Sequence, residues 1–246
     1  YFNGKSVRPH VSLVTIFSYS TETTPSLLTF DEVTTFLHEF GHGLHGMLSQ
    51  CQYPGTSGTN VYWDFVELPS QMHENWAYEK EWLDTFAVHF QTGEKMPEEL
   101  IQKIQKAQNF QAAYMMERQL SFAMLDMAYH HGGLPSDADL KAFEMDAIAS
   151  TDLFEPVAES LQSTSFSHIF SGGYDAGYYS YKWAEVLDAD AFSVFQEKGI
   201  FDRETADLFR INILEKGGSE HPMILYKAFR GQEPTATALL KRNGLV

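Results

Sequence analysis

Residues Phe36–Met47 read FLHEFGHGLHGM, with histidines at positions 38, 42 and 45. The spacing from His38 to His42 is that of neighbours on one helical face, where i and i+4 stand one above the other. His38-Glu39-Phe40-Gly41-His42 is the HExxH pattern, in which two imidazoles reach one ion. Glu39 stands about 100° further round the helix. Its carboxylate therefore faces a water at the metal and not the metal itself. Catalytic zinc takes three protein ligands and keeps one position for water. Two histidines are too few, so a third ligand must come from another part of the chain.

Glu67, in WDFVELPSQMHENW (residues 63–76), is the best candidate. Asp31 reads as the N-cap of a helix running from about Glu32 to Leu48. Asp64 reads as the cap of a second helix, and Glu67 then stands at the capping-box position. Glu67 is thus either the third ligand, with two antiparallel helices meeting at the ion, or only the acid of that cap. Ser70, Gln71 and Glu74 share its face, and Glu74 is placed to accept a proton from a ligating histidine. His45 shares the face of His38 and reads as a packed or supporting residue. The acids Asp31 and Glu32 suit a helix N-terminus, and Cys51 reads as buried and inert.

Outward from these two helices the pattern is mainly α. Before residue 30, HVSLVTIFSYS and SLLTF are β-prone, bounded by Asn3-Gly4 and Pro25. They predict a small β element at the N-terminal edge. GTSGTN (residues 55–60) reads as a flexible loop. MPEELIQKIQKAQNFQAAYMMERQLSFAMLDMAYHH is long enough for two consecutive helices. DADLKAFEMDAIAS, Tyr174 to Lys198, DRETADLFRINILEK and PMILYKAFRG supply the others. No repeat, linker or domain boundary is visible, so residues 1–246 read as a single domain.

Hydrophobic residues make up 43% of the chain, enough for a sizeable core. The formal charge of −16 argues against a nucleic-acid partner, which needs a basic face. No apolar run is long enough to span a membrane. Cys51 is the lone cysteine, which excludes an internal disulfide and fits the cytoplasm. The opening YFNGKSVRPHVSL has neither a signal-peptide layout nor an initiator methionine, and reads as a cut within a longer protein.

A metal-assisted acyl transfer also needs donors for the oxyanion. SFSHIFSGGYDAGYYSYKW (residues 165–183) offers them. Gly172-Gly173 allows a tight turn. Tyr174, Tyr178 and Tyr181 follow at i, i+4 and i+7, one stripe of a helix that Asp175 would cap. Alone, such a stripe reads as buried aromatics. Beside a metal helix it reads as neutral phenol donors, with His168 a further donor before the turn. Tyr179 lies off the stripe and reads as structural.

Four separated motifs, FLHEFGHGLHGML, SGTNVYWDFVELPSQMHENWAYE, HIFSGGYDAGYYSYKWAEVLDADAF and GGSEHPMILYKAFRGQEP, together resemble the catalytic part of the thimet oligopeptidase family. The nearest likeness is to its bacterial peptidyl-dipeptidases and oligopeptidase A. Trp63 and Thr34 depart from positions where some relatives carry an arginine and an acid. The resemblance implies a multi-helix zincin-type domain with one zinc ion held by His38, His42 and Glu67, and Glu39 as general base. It implies that Tyr174, Tyr181 and His168 meet the substrate, with Tyr178 close by. The expected reaction is hydrolysis of short peptides with release of C-terminal dipeptides. The alternatives are internal cleavage, or a zinc- and peptide-binding fragment that turns over little without its N-terminal half.

Overall fold

The computed structural model describes residues 7–131, 136, 139–155, 157 and 159–246. The protein is mainly helical, and the metal-motif helix α1 spans Phe30–Leu48. Its cap is Thr29, two residues earlier than Asp31 would place it. The Thr29 hydroxyl accepts the Glu32 N–H at 3.2 Å, and the Glu32 carboxylate accepts the Thr29 N–H at 2.7 Å. A threonine followed three residues later by glutamate satisfies two orphan N–H groups, which an aspartate at 31 would not.

Glu32 also accepts the Ser18 N–H and hydroxyl at 2.6 and 2.8 Å. At the other end of α1, the Arg8 guanidinium donates to the Ser49 carbonyl at 2.7 Å and to that of Met47. The chain between them lies extended along α1. Leu13 sits over Gly43, Val11 over Gly46, and the Phe17 ring is 6.5 Å from Phe36. The expected β element at this edge does not form a ladder. Among the described residues the one bridge between extended backbones is Val88–Lys95, after α3 (Lys80–Leu83). The β-prone residues take the extended shape, but α1 occupies one face and no described strand lies alongside, and β preference is realised only in pairing. The Asn3-Gly4 turn lies outside the described residues.

Helix α2, Glu67–Glu74, packs between α1 and α8, Ser180–Lys198. Gly41 lets it approach: a methyl group there would lie 2.6 Å from the Pro69 carbonyl oxygen and the Ser70 Cα. A single turn of 3-10 helix, Trp63–Phe65, leads into α2, whose N-cap Val66 makes no side-chain bond. Asp64 is therefore not the cap. Its carboxylate accepts the Tyr179 hydroxyl at 2.9 Å instead. The loop at 55–60 is braced by neighbours: Asn60 donates to the Pro54 and Ser57 carbonyls at 3.1 and 2.9 Å, and the Gly218 N–H donates to Thr56 at 2.8 Å.

Phe65, Leu68 and Met72 join Leu187, Phe192 and Phe195 of α8 in the main core. Helix α9 (Arg203–Phe209), a π-helical turn at Arg210–Leu214 and α10 (Pro222–Arg230) close it. Two buried aspartates of α8 anchor the C-terminal helices. Asp190 accepts the Tyr226 hydroxyl at 2.6 Å and Arg230 Nε at 3.0 Å. Asp188 accepts Asn75 at 2.8 Å and pairs with Arg242 of α11 (Thr237–Arg242).

The long run after Pro97 is indeed two helices, α4 (Glu98–Gln108) and α5 (Ala112–His131), broken where Gln111 adopts φ 55°. A second core joins Leu125 and Tyr129 of α5 to Phe166 and Ile169, the latter on the single-turn α7 (Ser167–Phe170). Helix α6, Leu140–Ile148, packs on α5 with Leu140 and Phe143 against this core. Residues 137–138 of the expected helix lie outside the described residues.

Candidate metal centre

His38 and His42 stand side by side on α1 with ring centroids 4.9 Å apart. Across from them, at the first position of α2, Glu67 is 4% exposed. His38 Nε2 and His42 Nε2 each lie 3.2 Å from the same oxygen, Oε2 of Glu67. One donor atom from each of the three residues falls within a 4.8 Å cluster. Two ligands on a tetrahedral zinc with bonds of about 2.0–2.1 Å stand roughly 3.3 Å apart, so this donor set fits such an ion. The carboxylate is a ligand candidate by placement and not the acid of a capping box.

The surrounding side chains hold these three in place. Glu74 accepts the His38 Nδ1 proton at 2.7 Å, leaving Nε2 to face the site. The Ser70 hydroxyl donates to Glu67 Oε2 at 2.8 Å, and the Tyr174 hydroxyl donates to Oε1 at 2.9 Å. Burial disfavours a charged His38, but hydrogen bonds to Glu67 and Glu74 override it and raise the imidazole to about 10. Burial likewise opposes a charged Glu67, and the two histidines override it and hold the carboxyl below its ordinary range. The cluster could thus hold a cation, and His38 keeps its proton well above the ordinary imidazole range. His45 is fully buried, and neither ring nitrogen has a hydrogen-bond partner among the described residues. Burial, with His42 nearby, pushes it down to about 4, so it is a neutral packing residue. Glu39 follows His38 on α1 and is half-buried. Cys51 donates to the Lys216 carbonyl at 3.0 Å.

The tyrosines meet, but not on one helix. Helix α8 starts at Ser180, six residues later than expected, and Tyr174–Tyr179 form turns, with Gly173 at φ 81°. Asp175 therefore caps nothing. The Ala176 and Tyr178 N–H groups, which would open a helix, are taken by Asp126 of α5, and Ala176 stands at φ 53°. The turn still brings the rings together: Tyr174 stacks on Tyr181 at 4.9 Å, and Tyr178 meets Tyr181 edge-on at 5.3 Å. The Tyr178 hydroxyl donates to Gln119 of α5 at 3.1 Å. Exposed His168 stands at the margin, 6.0 Å from Tyr174 and 6.1 Å from Tyr178 between ring centroids. Burial raises the phenols of Tyr174, Tyr178 and Tyr181, keeping them neutral donors.

Three supports of the site escape sequence reading. Gly41 sets how closely α1 and α2 approach, and a glycine inside a helix next to a ligand pair is the signal that points to it. The Tyr174 bond to Glu67 and the Asp126 bonds to the turn join residues far apart in the chain, and no local pattern marks them.

The sequence profile described as Peptidase family M3 matches residues 2–245. Oligopeptidase A of Escherichia coli is 46% identical over 99% of this chain and 36% of its own length. Dipeptidyl carboxypeptidase of Salmonella typhimurium is 40% identical over 97% of this chain and 35% of its own length. Probable cytosolic oligopeptidase A of Arabidopsis thaliana is 46% identical over 90% of this chain and 32% of its own length. The chain therefore spans about a third of the length of the curated relatives it matches. With the profile running from end to end over a helix pair whose two histidines and glutamate converge, the chain belongs to peptidase family M3.

Proposed function

We propose that residues 1–246 form the catalytic part of a zinc peptidase acting on short peptides. The observation that carries this reading is the shared approach of His38 Nε2 and His42 Nε2 to Glu67 Oε2, each at 3.2 Å. His38, His42 and Glu67 would hold the ion. Zinc, when bound, supplies a Lewis acid and lowers the pKa of a water to about 7. The Glu39 carboxylate takes a proton from the attacking water and hands it to the leaving amide nitrogen. Tyr181, with His168 at the margin and Tyr178 behind, donates to the oxygen on which negative charge develops, and the Tyr174 hydroxyl joins it by leaving Glu67 Oε1. Glu74 keeps the His38 proton on Nδ1 throughout.

The mode of cutting we infer is release of C-terminal dipeptides. The relative named dipeptidyl carboxypeptidase supports this mode, and internal cleavage is the second reading. The relatives' greater length supports an opposite wall of the peptide channel that comes from an N-terminal half beyond this chain. The lone cysteine and a relative named as cytosolic support a cytoplasmic location. The test is mass spectrometry of the products from an N-blocked pentapeptide, with the chain loaded with one equivalent of zinc. A C-terminal dipeptide, lost in Glu39→Gln while zinc stays bound, is the expected result. A cut at another bond selects the second reading. Zinc binding without product makes the chain a fragment that needs its other half, and absence of stoichiometric zinc overturns the proposal.

A further inference from the structure

Asp126 is fully buried on α5, and the mechanism above does not use it. Its carboxylate is forked across one residue of the tyrosine turn. Oδ1 accepts the Ala176 N–H at 2.9 Å and Oδ2 accepts the Tyr178 N–H at 2.9 Å. His130, one turn along α5, places Nδ1 2.8 Å from Oδ1. A carboxylate is costly to bury and persists where hydrogen bonds compensate it. What this one compensates in return is local: Ala176 stands at φ 53°, a left-handed conformation that alanine rarely adopts.

The fork lies between the two halves of the site. On one side Tyr174 reaches Glu67 with its hydroxyl at 2.9 Å. On the other, Tyr178 is tied to Gln119 of α5 at 3.1 Å and packs on Phe122 and Phe166. The backbone between these tyrosines determines where the Tyr174 phenol points, and Asp126 grips that backbone at 176 and 178. We propose that Asp126 is a positioning residue, which holds the 174–179 turn of one core in register with the metal ligands carried by the other. Its catalytic consequence rests on the peptidase reading, whereas its structural consequence rests on the geometry alone.

Asp126→Asn keeps the shape of the side chain but turns an amide donor toward one of the two N–H groups. In the zinc-loaded chain it is expected to leave zinc stoichiometry unchanged and to lower kcat roughly 10²-fold, as a misplacement of about 1 Å does. KM should stay within about 2-fold, because the lost interaction belongs to the transition state. In a Tyr174→Phe background the same substitution should cost less than about 3-fold, since the group it positions is already gone. Adding Ala176→Gly, which reaches φ 53° without a Cβ clash, should restore about 10-fold. An unchanged kcat, or equal losses with and without the Tyr174 hydroxyl, overturns the proposal.

If the wild-type chain turns over no peptide, the peptidase reading of the isolated chain fails separately. Fluorine NMR of the fluorotyrosine-labelled, zinc-loaded protein then decides. Displacement of the Tyr174 and Tyr178 resonances in Asp126→Asn, reversed by Ala176→Gly, supports the proposal, and unmoved resonances overturn it. If Asp126→Asn alone does not fold, folding of the Asp126→Asn/Ala176→Gly pair supports a role at the turn. Failure of both to fold overturns it, because Asp126 would then serve the core as a whole.

Discussion

At the scale of single residues, the proposed metal centre sets a proton against a cation for the same nitrogen. His38 in the metal-free protein is raised to about 10 by Glu67 and Glu74 against the penalty of burial. A group whose folded pKa lies above its unfolded value gives stability that is fully present below the unfolded pKa, about 6.5 for histidine. That stability is lost as pH rises through the folded value. The metal-free chain should therefore lose thermal stability at this site from about pH 6.5 to 10. Zinc needs the nitrogen unprotonated, so its affinity should rise over the same window. Thermal melts of the metal-free chain check the first sign, and competition with a chromophoric chelator at several pH values checks the second. Glu74→Gln removes the acceptor that fixes the His38 tautomer, and zinc affinity should fall about 10- to 100-fold. The pairing of His38 with His42 was legible because helical spacing is local, and Glu67 does converge on them. The Tyr174 bond to Glu67 was not legible, because it joins residues that only the tertiary fold brings together.

At the scale of elements, α1 and α2 form the site by how closely they meet. A side chain at Gly41 would collide with the backbone at Pro69 and Ser70, not with a movable group. Gly41→Val should cost about 1–3 kcal/mol of stability by overpacking. It should weaken zinc binding as well, because Glu67 rides on the displaced helix; urea unfolding and zinc titration of the same variant separate the two effects. The helix boundaries were readable where local chemistry decides them, as at the Pro222 start and Gly231 end of α10. They were misread where a distant group decides. Helix α8 starts late because Ala176 stands at φ 53°, which no helical turn contains, in a turn whose N–H groups at 176 and 178 are held by distant Asp126. Asp64 was a plausible cap, but its carboxylate is engaged by Tyr179.

At the scale of the whole molecule, the site lies where two cores meet. One carries α1, α2 and α8, and the other carries α5, α6 and α7. Composition and helical periodicity announced a mainly helical chain but not this division, because which apolar faces pair is a matter of long-range contact. The C-terminal helices close the first core through buried ion pairs. Arg242→Met would leave Asp188 buried without its cation and should cost about 3–5 kcal/mol. Loss of midpoint in denaturant with an unchanged slope would show the effect to be on stability. The extended segment along α1 has another consequence, for how the isolated chain behaves at high concentration. Val14 and Ile16 are 87% and 88% exposed, and among the described residues no backbone bond pairs residues 9–17. An open, apolar, unprotected edge is a template for the same edge on another copy. Concentrated solutions should gain β-sheet signal and turbidity together, and Val14→Lys should suppress both, as a gatekeeper charge does where nothing else guards a strand.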